Sequence, residues 1–151
     1  MKKLTYFIHD GKGGHEPFYE YITPEVGVDE LYARQLCTYF IMRGRQYQLI
    51  SNEMIEDEDI LVLEDAGRNV SVLDEENYRG KGLHIEFRRF REEENYKKLA
   101  VLPCETHFDI IRYLLKDIVD VPGFGQKEMT STEIDEDRNV YVIYVKNIGE
   151  M

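Results

Sequence analysis

Runs of aromatic and β-branched residues alternate along this chain with two stretches in which apolar residues recur at helical spacing. Such runs are typical of strands. In the first part of the chain they cover residues 4–9, 16–22, 45–51 and 60–63. Between the second and third runs, apolar side chains recur at steps of three and four over residues 28–43. That spacing predicts an amphipathic helix, which Gly44 would end.

The later part of the chain repeats this order. Strand-like runs cover residues 83–90, 98–102, 127–134 and 139–145. A second helix is predicted from Thr106, its expected N-cap, because Asp109 stands three residues later and completes a weaker form of the capping box. Pro122 would end this helix. The apolar stripe expected to face the core consists of Phe108, Ile111, Leu115 and Ile118, with Leu114 and Val119 beside them.

The two series have the same form, strand–strand–helix–strand–strand, and we expect them to build one α+β domain over residues 1–151. We call residues 1–65 the first half and residues 83–146 the second half. Residues 66–82 join them and include a short strand or turn at 69–73. Two amphipathic helices need a sheet to cover, and a predominantly antiparallel sheet with both helices on one face is the simplest arrangement. An internal duplication and two unrelated α+β layers both explain the likeness of the halves.

The composition is that of a globular protein, since 42% of the 151 residues are hydrophobic and 12% are aromatic. No run approaches the ~20 apolar residues that a membrane helix needs, and the N-terminal residues do not have the form of a signal peptide. The net charge of −11 disfavours binding to nucleic acid or to anionic membranes, because phosphate is neutralised by Lys and Arg. Two cysteines without zinc-ligand spacing are typical of a reducing compartment, so we expect a cytoplasmic protein.

Charge is distributed unevenly along the chain. Residues 53–76 contain ten acidic residues and one arginine, whereas Arg88, Arg89 and Arg91 form a basic cluster. Opposed charges of this kind suit protein recognition or self-association, including a homodimer, so we expect the three arginines to be interaction residues. Two alternatives remain open. The arginines are interleaved with aromatic residues, as in binders of single-stranded nucleic acid, and an acidic chain can also imitate nucleic acid on a basic partner.

Residues 9–16, His-Asp-Gly-Lys-Gly-Gly-His-Glu, join the first two predicted strands. The order of a phosphate-binding P-loop is not present, because no Ser or Thr follows Lys12 and the next element is a predicted strand. A β-hairpin turn is expected instead. A two-residue turn would pair Asp10 with His15. A shift of one residue would pair His9 with His15 and offer two ligands of a metal site.

Cys104 and His107 are the other candidates for chemistry. A thiol near a helix N-terminus can have a lowered pKa, and His107 stands close enough in sequence to act as a base. No partner that would orient the histidine is identifiable, and a partly buried cysteine with a packing role fits the same position. The sequence therefore predicts no catalytic residue, no cofactor and no bound metal, and an enzyme is less expected than a binding protein.

The expected function is that of a small acidic binding or regulatory module that acts through protein–protein contacts without catalysis. The alternative is a small-ligand-binding or enzymatic domain with a cleft between the two halves. In that case His9, His15 or Cys104 would lie near the cleft.

Overall fold

The computed structural model describes residues 2–72 and 74–150, which form one ten-stranded sheet with two α-helices and one short 3-10 helix, Glu92–Glu94. The elements are β1 (Lys3–His9), β2 (His15–Ile22), α1 (Val28–Arg34), β3 (Tyr39–Met42), β4 (Arg45–Ile55), β5 (Glu58–Arg68), β6 (Leu83–Arg89), β7 (Lys98–Cys104), α2 (His107–Leu114), β8 (Ile118–Val121), β9 (Gly125–Asp135) and β10 (Val140–Lys146). Neither helix in this part of the chain has the length and apolar character that crossing a bilayer would require.

The sheet is mixed, with the strand order β2-β1-β5-β4-β3-β9-β10-β6-β7 and with β8 paired to β9. β1 is parallel to β5, β6 to β10, and β3 to β9. The other strand pairs in residues 2–72 and 74–150 are antiparallel. The prediction of a predominantly antiparallel sheet is therefore wrong. In each half the last strand lies beside the first strand, and the long connection through the helix allows the two to be parallel.

Both halves have the same internal strand order. β1 to β5 are arranged as β2-β1-β5-β4-β3, and β6 to β10 as β7-β6-β10-β9-β8. Each half is strand–strand–helix–strand–strand–strand, one strand more than predicted, because a short strand follows each helix. The halves join where β3 runs parallel to β9, so a single continuous sheet crosses the boundary between them.

Both helices end earlier than the apolar spacing predicts. α1 ends at Arg34, and Tyr39–Met42 form β3 instead of a further helical turn. The backbone N–H of Thr38 donates to Thr132 O at 3.0 Å, which starts the pairing of β3 with β9. In the same way, β8 replaces the end of the second predicted helix. A short, continuous apolar run fits a buried strand as well as a helix, so periodicity alone does not separate the two.

The buried face of α2 differs from the predicted stripe, although the predicted capping box is present. Ile110 and Leu114 are buried, whereas Phe108 is 65% and Leu115 62% exposed. Apolar residues occupy two neighbouring lines along this two-turn helix, and the contacts with α1 and the sheet determine which line is buried. The stripe that contained Phe108 and Leu115 was therefore assigned to the wrong face.

Both helices pack on one face of the sheet, as predicted. Leu31 and Ala33 of α1 belong to the same apolar cluster as Ile110 and Leu114 of α2, together with strand residues from both halves. The two helices also contact each other. Burial of this shared apolar surface is the main favourable contribution to folding and makes one core of the two halves.

The connection between the halves is shorter than predicted. β5 continues to Arg68, so the connecting segment consists of residues 69–82 rather than 66–82. Residues 69–72 form no strand. Leu73, the last residue of the short strand or turn expected at 69–73, lies outside the described residues.

The connecting segment crosses the face of the sheet opposite the helices. Tyr78 is buried there in a small apolar cluster with Val140 and Val142. Asp74 accepts a hydrogen bond from the backbone N–H of Lys98 at 2.9 Å. These contacts hold the segment over the second face of the sheet, whose polar side chains it covers.

Candidate functional site

A cavity of about 340 Å³, which we call the central cavity, lies on the second face of the sheet where the two halves meet. Ile134 of β9 belongs to the apolar core, so its neighbours Glu133 and Asp135 point the opposite way, toward the cavity. The cavity is lined by residues of both halves and of the connecting segment: Tyr39, Gln46, Arg68, Asn69, Val70, Val72, Glu75, Arg88, Phe90, Tyr96, Ser131, Glu133, Asp135 and Tyr144.

Arg88 is the most deeply buried charged side chain in the cavity wall, with 1% exposure. Its Nε donates to Glu86 Oε1 at 2.8 Å, and its Nη1 donates to Asp74 Oδ1 at 2.7 Å and to Tyr96 O at 3.0 Å. Burial would lower the pKa of Arg88, but the hydrogen bonds with Asp74 and Glu86 raise it, so the guanidinium stays charged. The Nη2 group is buried and has no hydrogen-bond partner among the described residues.

Glu133 is the second buried ionisable group of the wall. Burial raises the pKa of Glu133 to about 8, and the neighbouring Asp135 carboxylate adds to the shift. The Tyr144 hydroxyl donates to Glu133 Oε1 at 3.2 Å. At neutral pH Glu133 therefore carries a proton in most molecules and can donate as well as accept a hydrogen bond.

Arg138 connects the remaining carboxylates beneath the cavity. Its Nη1 donates to Glu86 Oε2 at 2.7 Å, and its Nε donates to Asp135 Oδ2 at 2.8 Å. Burial would raise the pKa of Glu86, but hydrogen bonds from Arg138 and Arg88 lower it, so Glu86 stays ionised. Burial also raises the pKa of Asp135 and of Glu75, and the positive charge of Arg138 opposes both shifts. The cavity therefore lies over a buried ionic network with more carboxylates than guanidinium groups.

Three aromatic rings in the wall contact one another. The ring centroid of Phe90 lies 5.8 Å from that of Tyr96 and 6.2 Å from that of Tyr144. The rings of Tyr96 and Tyr144 are 5.8 Å apart and nearly perpendicular, at 81°. The central cavity thus combines an aromatic wall with ionisable groups, a combination that is common in sites for small molecules.

The structure answers the question of register in the glycine-rich hairpin. His9 lies opposite His15, so the shifted register is the observed one. The turn is closed by Asp10 Oδ1, which accepts hydrogen bonds from the backbone N–H groups of Lys12 at 2.7 Å and Gly14 at 3.1 Å. Within residues 2–72 and 74–150, no group of three or more His, Cys, Asp or Glu side chains is arranged to hold a metal ion. The paired histidines therefore lack further protein ligands in that part of the chain.

Cys104 and His107 have the environments of packed side chains. Burial raises the pKa of Cys104 to about 11, and the Asp109 carboxylate adds to the shift. The Cys104 thiol donates to Leu102 O at 3.8 Å. Burial lowers the pKa of His107, whose Nε2 lies 3.7 Å from Glu30 Oε1. The thiol is therefore shifted away from the thiolate that nucleophilic chemistry would need.

The three arginines predicted as interaction residues have different environments. Arg88 points into the interior, so it cannot contribute to a contact surface. Arg89 forms ion pairs with Glu94 at 3.1 Å and with Glu150 at 2.9 Å, and Arg91 pairs with Glu150 at 2.9 Å. Strand alternation explains the difference, because neighbouring residues of β6 point to opposite faces. Arg89 and Arg91 remain near the surface, with most of their charge compensated within the chain.

A second buried polar cluster surrounds Arg34 on the helix side. Arg34 Nη1 donates to the hydroxyls of Tyr6 and Tyr21, each at 3.2 Å, and pairs with Glu136 at 2.9 Å. Its Nη2 pairs with Glu30 at 2.9 Å, and the Tyr21 hydroxyl donates to Glu136. Because Glu136 belongs to the turn between β9 and β10, this cluster links the second half to the first. No local pattern in the sequence predicts this cluster, because Arg34 is an isolated arginine within the predicted helix 28–43.

Apart from Arg88, which was expected at an interaction surface, the cavity residues were missed from the sequence, although a pattern was visible. Arg88 and its neighbour Glu86 alternate with core residues along one predicted strand, and Glu133 lies near the end of another, shortly before Asp135 in the predicted turn. Such alternation normally indicates a face in contact with water. Here the connecting segment covers that face, and the covering depends on Tyr78, a contact that local sequence patterns do not encode.

The chain matches no protein family model, no curated protein and no solved structure. Its function therefore has to be inferred from the chemistry of the central cavity: a buried guanidinium whose Nη2 group has no partner in the part of the chain that the structure describes, a carboxyl group of raised pKa and an aromatic wall.

Proposed function

We propose that this protein binds a small polar molecule in the central cavity and acts as a binding or regulatory module without catalysis. One observation carries the proposal: Arg88 lines the cavity and is 1% exposed, and its buried Nη2 group has no partner among the described residues. A buried donor without a partner costs about 1–3 kcal/mol. A bound molecule with a hydrogen-bond acceptor would recover that free energy and complete the coordination of the guanidinium.

The position of the cavity suits regulation. Its walls come from both halves, where the sequence-based alternative placed a cleft, but His9, His15 and Cys104 are not among the lining residues. A molecule that binds there contacts β3, β9 and the connecting segment at once. Binding to the folded state alone stabilises a protein by mass action, so a ligand would hold the connecting segment in place on the sheet.

Binding without catalysis is supported by the ionisation of the two thiols. Burial raises the pKa of Cys37 and of Cys104, whereas a nucleophilic thiol needs a lowered pKa. Glu133 keeps its proton near neutral pH, a state in which it can donate a hydrogen bond to a bound oxygen. These groups suit recognition of a molecule more than attack on it.

The proposal is tested by a fragment screen followed by NMR spectroscopy of the full chain. Compounds that bind should shift the backbone amide signals of Ser131, Glu133 and Tyr144. Ser131→Leu would place a larger side chain in the cavity wall and should abolish those shifts. Ser51→Leu is the matched control, since Ser51 is also a partly buried strand serine but does not line the cavity.

Two outcomes would overturn the proposal. One is a screen in which no compound shifts the cavity signals. The other is a set of compounds that bind equally well to wild type and to the Ser131→Leu variant, provided that both are folded by circular dichroism. In either case the unpartnered N–H group of Arg88 would have a purely structural explanation.

A second candidate function is protein recognition or self-association, which the exposed apolar residues of α2 favour. Phe108 and Leu115 are 65% and 62% exposed, and their spacing of seven residues places them on one side of the helix. Contiguous exposed apolar surface often marks an interaction site. We retain Arg89 and Arg91, but not the buried Arg88, as charged residues that such a contact would include.

Sedimentation velocity across a series of salt concentrations tests this second candidate. Self-association should appear as a concentration-dependent sedimentation coefficient that Phe108→Ser reduces and that Phe124→Ser, a change at a 49% exposed phenylalanine elsewhere, leaves unchanged. A protein that remains monomeric at all salt concentrations and captures no specific partner from cell extract would contradict it.

We further propose a cytoplasmic location and an origin by internal duplication. Free thiols at Cys37 and Cys104 support a reducing compartment, which cell fractionation would test. The shared strand order of the halves supports duplication. Sequence profiles of the two halves, built from relatives, should then align over all six elements, and alignment no better than that of shuffled profiles would contradict a common origin.

A further inference from the structure

The chemistry of the central cavity also indicates which class of molecule it would hold. This inference rests on the ligand-binding function proposed above. We propose that the ligand is a small organic cation, an amine that is protonated or quaternary, which also carries an oxygen atom able to accept a hydrogen bond from Arg88. The cation would lie between the carboxyl group of Glu133 and the rings of Phe90, Tyr96 and Tyr144.

The charge around the cavity favours a cation. Three cationic side chains, those of Arg88, Arg138 and Lys98, face five carboxylates even before Glu133 is counted; the carboxylates are Asp74, Glu75, Glu76, Glu86 and Asp135. Arg68, at the rim, is exposed to water and so offsets this excess only weakly. A ligand with one positive charge would reduce the excess of negative charge, whereas an anion would increase it.

The aromatic wall favours an organic cation over a metal ion. A cation within about 6 Å of a ring centroid is attracted by the negative charge on the face of the ring, and quaternary ammonium groups are recognised in this way. Tyr144 contributes its ring to the wall and its hydroxyl to Glu133, so the aromatic surface and the carboxyl group share one location. A metal ion would need several oxygen, nitrogen or sulfur ligands, and no group of three suitable side chains occurs in the described part of the chain.

Arg88 determines which hydrogen-bonding group the ligand needs besides its positive charge. Its charge is already compensated by Glu86 and Asp74, so the Nη2 group, which has no partner within residues 2–72 and 74–150, suits a neutral acceptor such as a hydroxyl or carbonyl oxygen. The cavity, at about 340 Å³, is at the small end of the range of roughly 300–1,000 Å³ found for ligand pockets. A small amino alcohol or its quaternary form has the size, the charge and the oxygen atom that these groups require.

Binding should be coupled to the proton of Glu133. The groups that face it are Asp135, Arg138, Tyr144 and Glu75. With a pKa near 8, Glu133 is mostly neutral at pH 7, and a cation beside it favours the ionised form. The affinity for a cation of fixed charge should therefore rise by up to tenfold per pH unit between pH 6 and 8 and level off above the pKa.

The test uses choline as the cationic probe and 3,3-dimethylbutan-1-ol, a neutral molecule of nearly the same shape, as its control. Both are titrated into the full chain by NMR at pH 7, with acetate as an anionic probe. We expect saturable shifts at the signals of Glu133 and Tyr144 with choline, and at least tenfold weaker binding of the neutral alcohol and of acetate. This comparison needs no variant, so it does not depend on whether a variant folds.

Substitutions in the wall of the central cavity test which side chains bind choline. Glu133→Gln keeps the shape of the side chain but cannot become negative, so it should weaken choline binding at least tenfold and remove its dependence on pH. Glu64→Gln, on the exposed side of β5, should change neither. Phe90→Ala should weaken binding severalfold, and Phe124→Ala should not, although both phenylalanines are 49% exposed.

The outcomes separate this inference from the proposed function. Equal binding of choline and the neutral alcohol, stronger binding of acetate, or an affinity for choline that does not change with pH would overturn the inference and leave a ligand cavity of another specificity. A protein for which neither these probes nor any fragment shifts the cavity signals would overturn both.

Discussion

The hydroxyl of Tyr144 donates a hydrogen bond to Glu133 over 3.2 Å, from one antiparallel strand to the next. The two residues are diagonal neighbours, since Glu133 lies opposite Val142 and Tyr144 lies opposite Ser131. Side chains at such positions are within reach when one of them is long. This pair brings a buried carboxyl group and an aromatic ring together on the wall of the central cavity.

Glu133 should make the stability of the protein depend on pH. Its pKa rises on folding from an ordinary value near 4.5 to about 8, so the folded state holds the proton more tightly than the unfolded state. The resulting stabilisation is complete below pH 4.5 and is lost as the pH rises toward 8, at up to about 1.4 kcal/mol per pH unit.

The Glu133→Gln variant isolates this contribution. Relative to wild type, its free energy of unfolding in urea should increase steadily between pH 5 and pH 8, because glutamine has no proton to lose. Asp135, whose pKa is also raised, is present in both proteins, so most of its own pH dependence cancels in the comparison. A difference between the two proteins that is the same at pH 5 and pH 8 would show that Glu133 is ionised in the folded protein.

Arg88 should be essential for stability, whereas Arg89 should not. Arg88→Met leaves the part-buried Asp74 without its guanidinium partner and removes one of the two partners of the buried Glu86, which keeps Arg138; breaking a buried ion pair costs about 3–5 kcal/mol. Arg89→Met removes ion pairs at the surface, which contribute roughly 0–1 kcal/mol. Urea denaturation measures both. Similar losses for the two variants would contradict the placement of Arg88 in the interior.

Two adjacent leucines test the orientation of α2. Leu114→Ala removes a buried side chain from the core and should cost about 2–5 kcal/mol. Leu115→Ala changes a residue that is 62% exposed and should alter the free energy of unfolding by no more than about 0.5 kcal/mol. Thermal and urea unfolding of the two variants give the comparison. A larger loss of unfolding free energy for Leu115→Ala than for Leu114→Ala would mean that the stripe predicted from the sequence faces the core.

Cys104 should react slowly with alkylating reagents. With its pKa near 11 instead of the ordinary 9, the thiolate fraction at pH 7 falls by about 100-fold, and alkylation slows accordingly. Iodoacetamide labelling followed by peptide mass spectrometry compares Cys104 with a cysteine in an unstructured peptide. If Cys104 is labelled as fast as the peptide cysteine, or faster, it would again be a candidate nucleophile.

Much of the fold was accessible from the sequence because local patterns carry it. The structure contains three features that were predicted: strands at both ends of each half, the capping box at Thr106, and both helices on one face of the sheet. The parallel pairing of β1 with β5 was not predicted, since residue alternation determines the face of a strand but not its direction. β3 and β8 were missed because short apolar runs fit helix and strand equally well.

The candidate site was much harder to predict from the sequence than the fold. The sequence drew attention to His9, His15 and Cys104, which do not line the cavity. Arg88 does line it but was expected at an interaction surface, and other wall residues such as Glu133 are ordinary strand residues. Their chemistry arises from burial, and burial depends on where the connecting segment lies. A long-range contact of that kind has no signature in a single sequence.

A crystal structure of the protein with a compound from the fragment screen would show whether the cavity between the halves holds a small molecule. We expect electron density for the compound in the central cavity, with an acceptor atom within about 3.2 Å of Arg88 Nη2. Density for every bound compound elsewhere, for example in the open groove beside Glu128 and Met129, would contradict it.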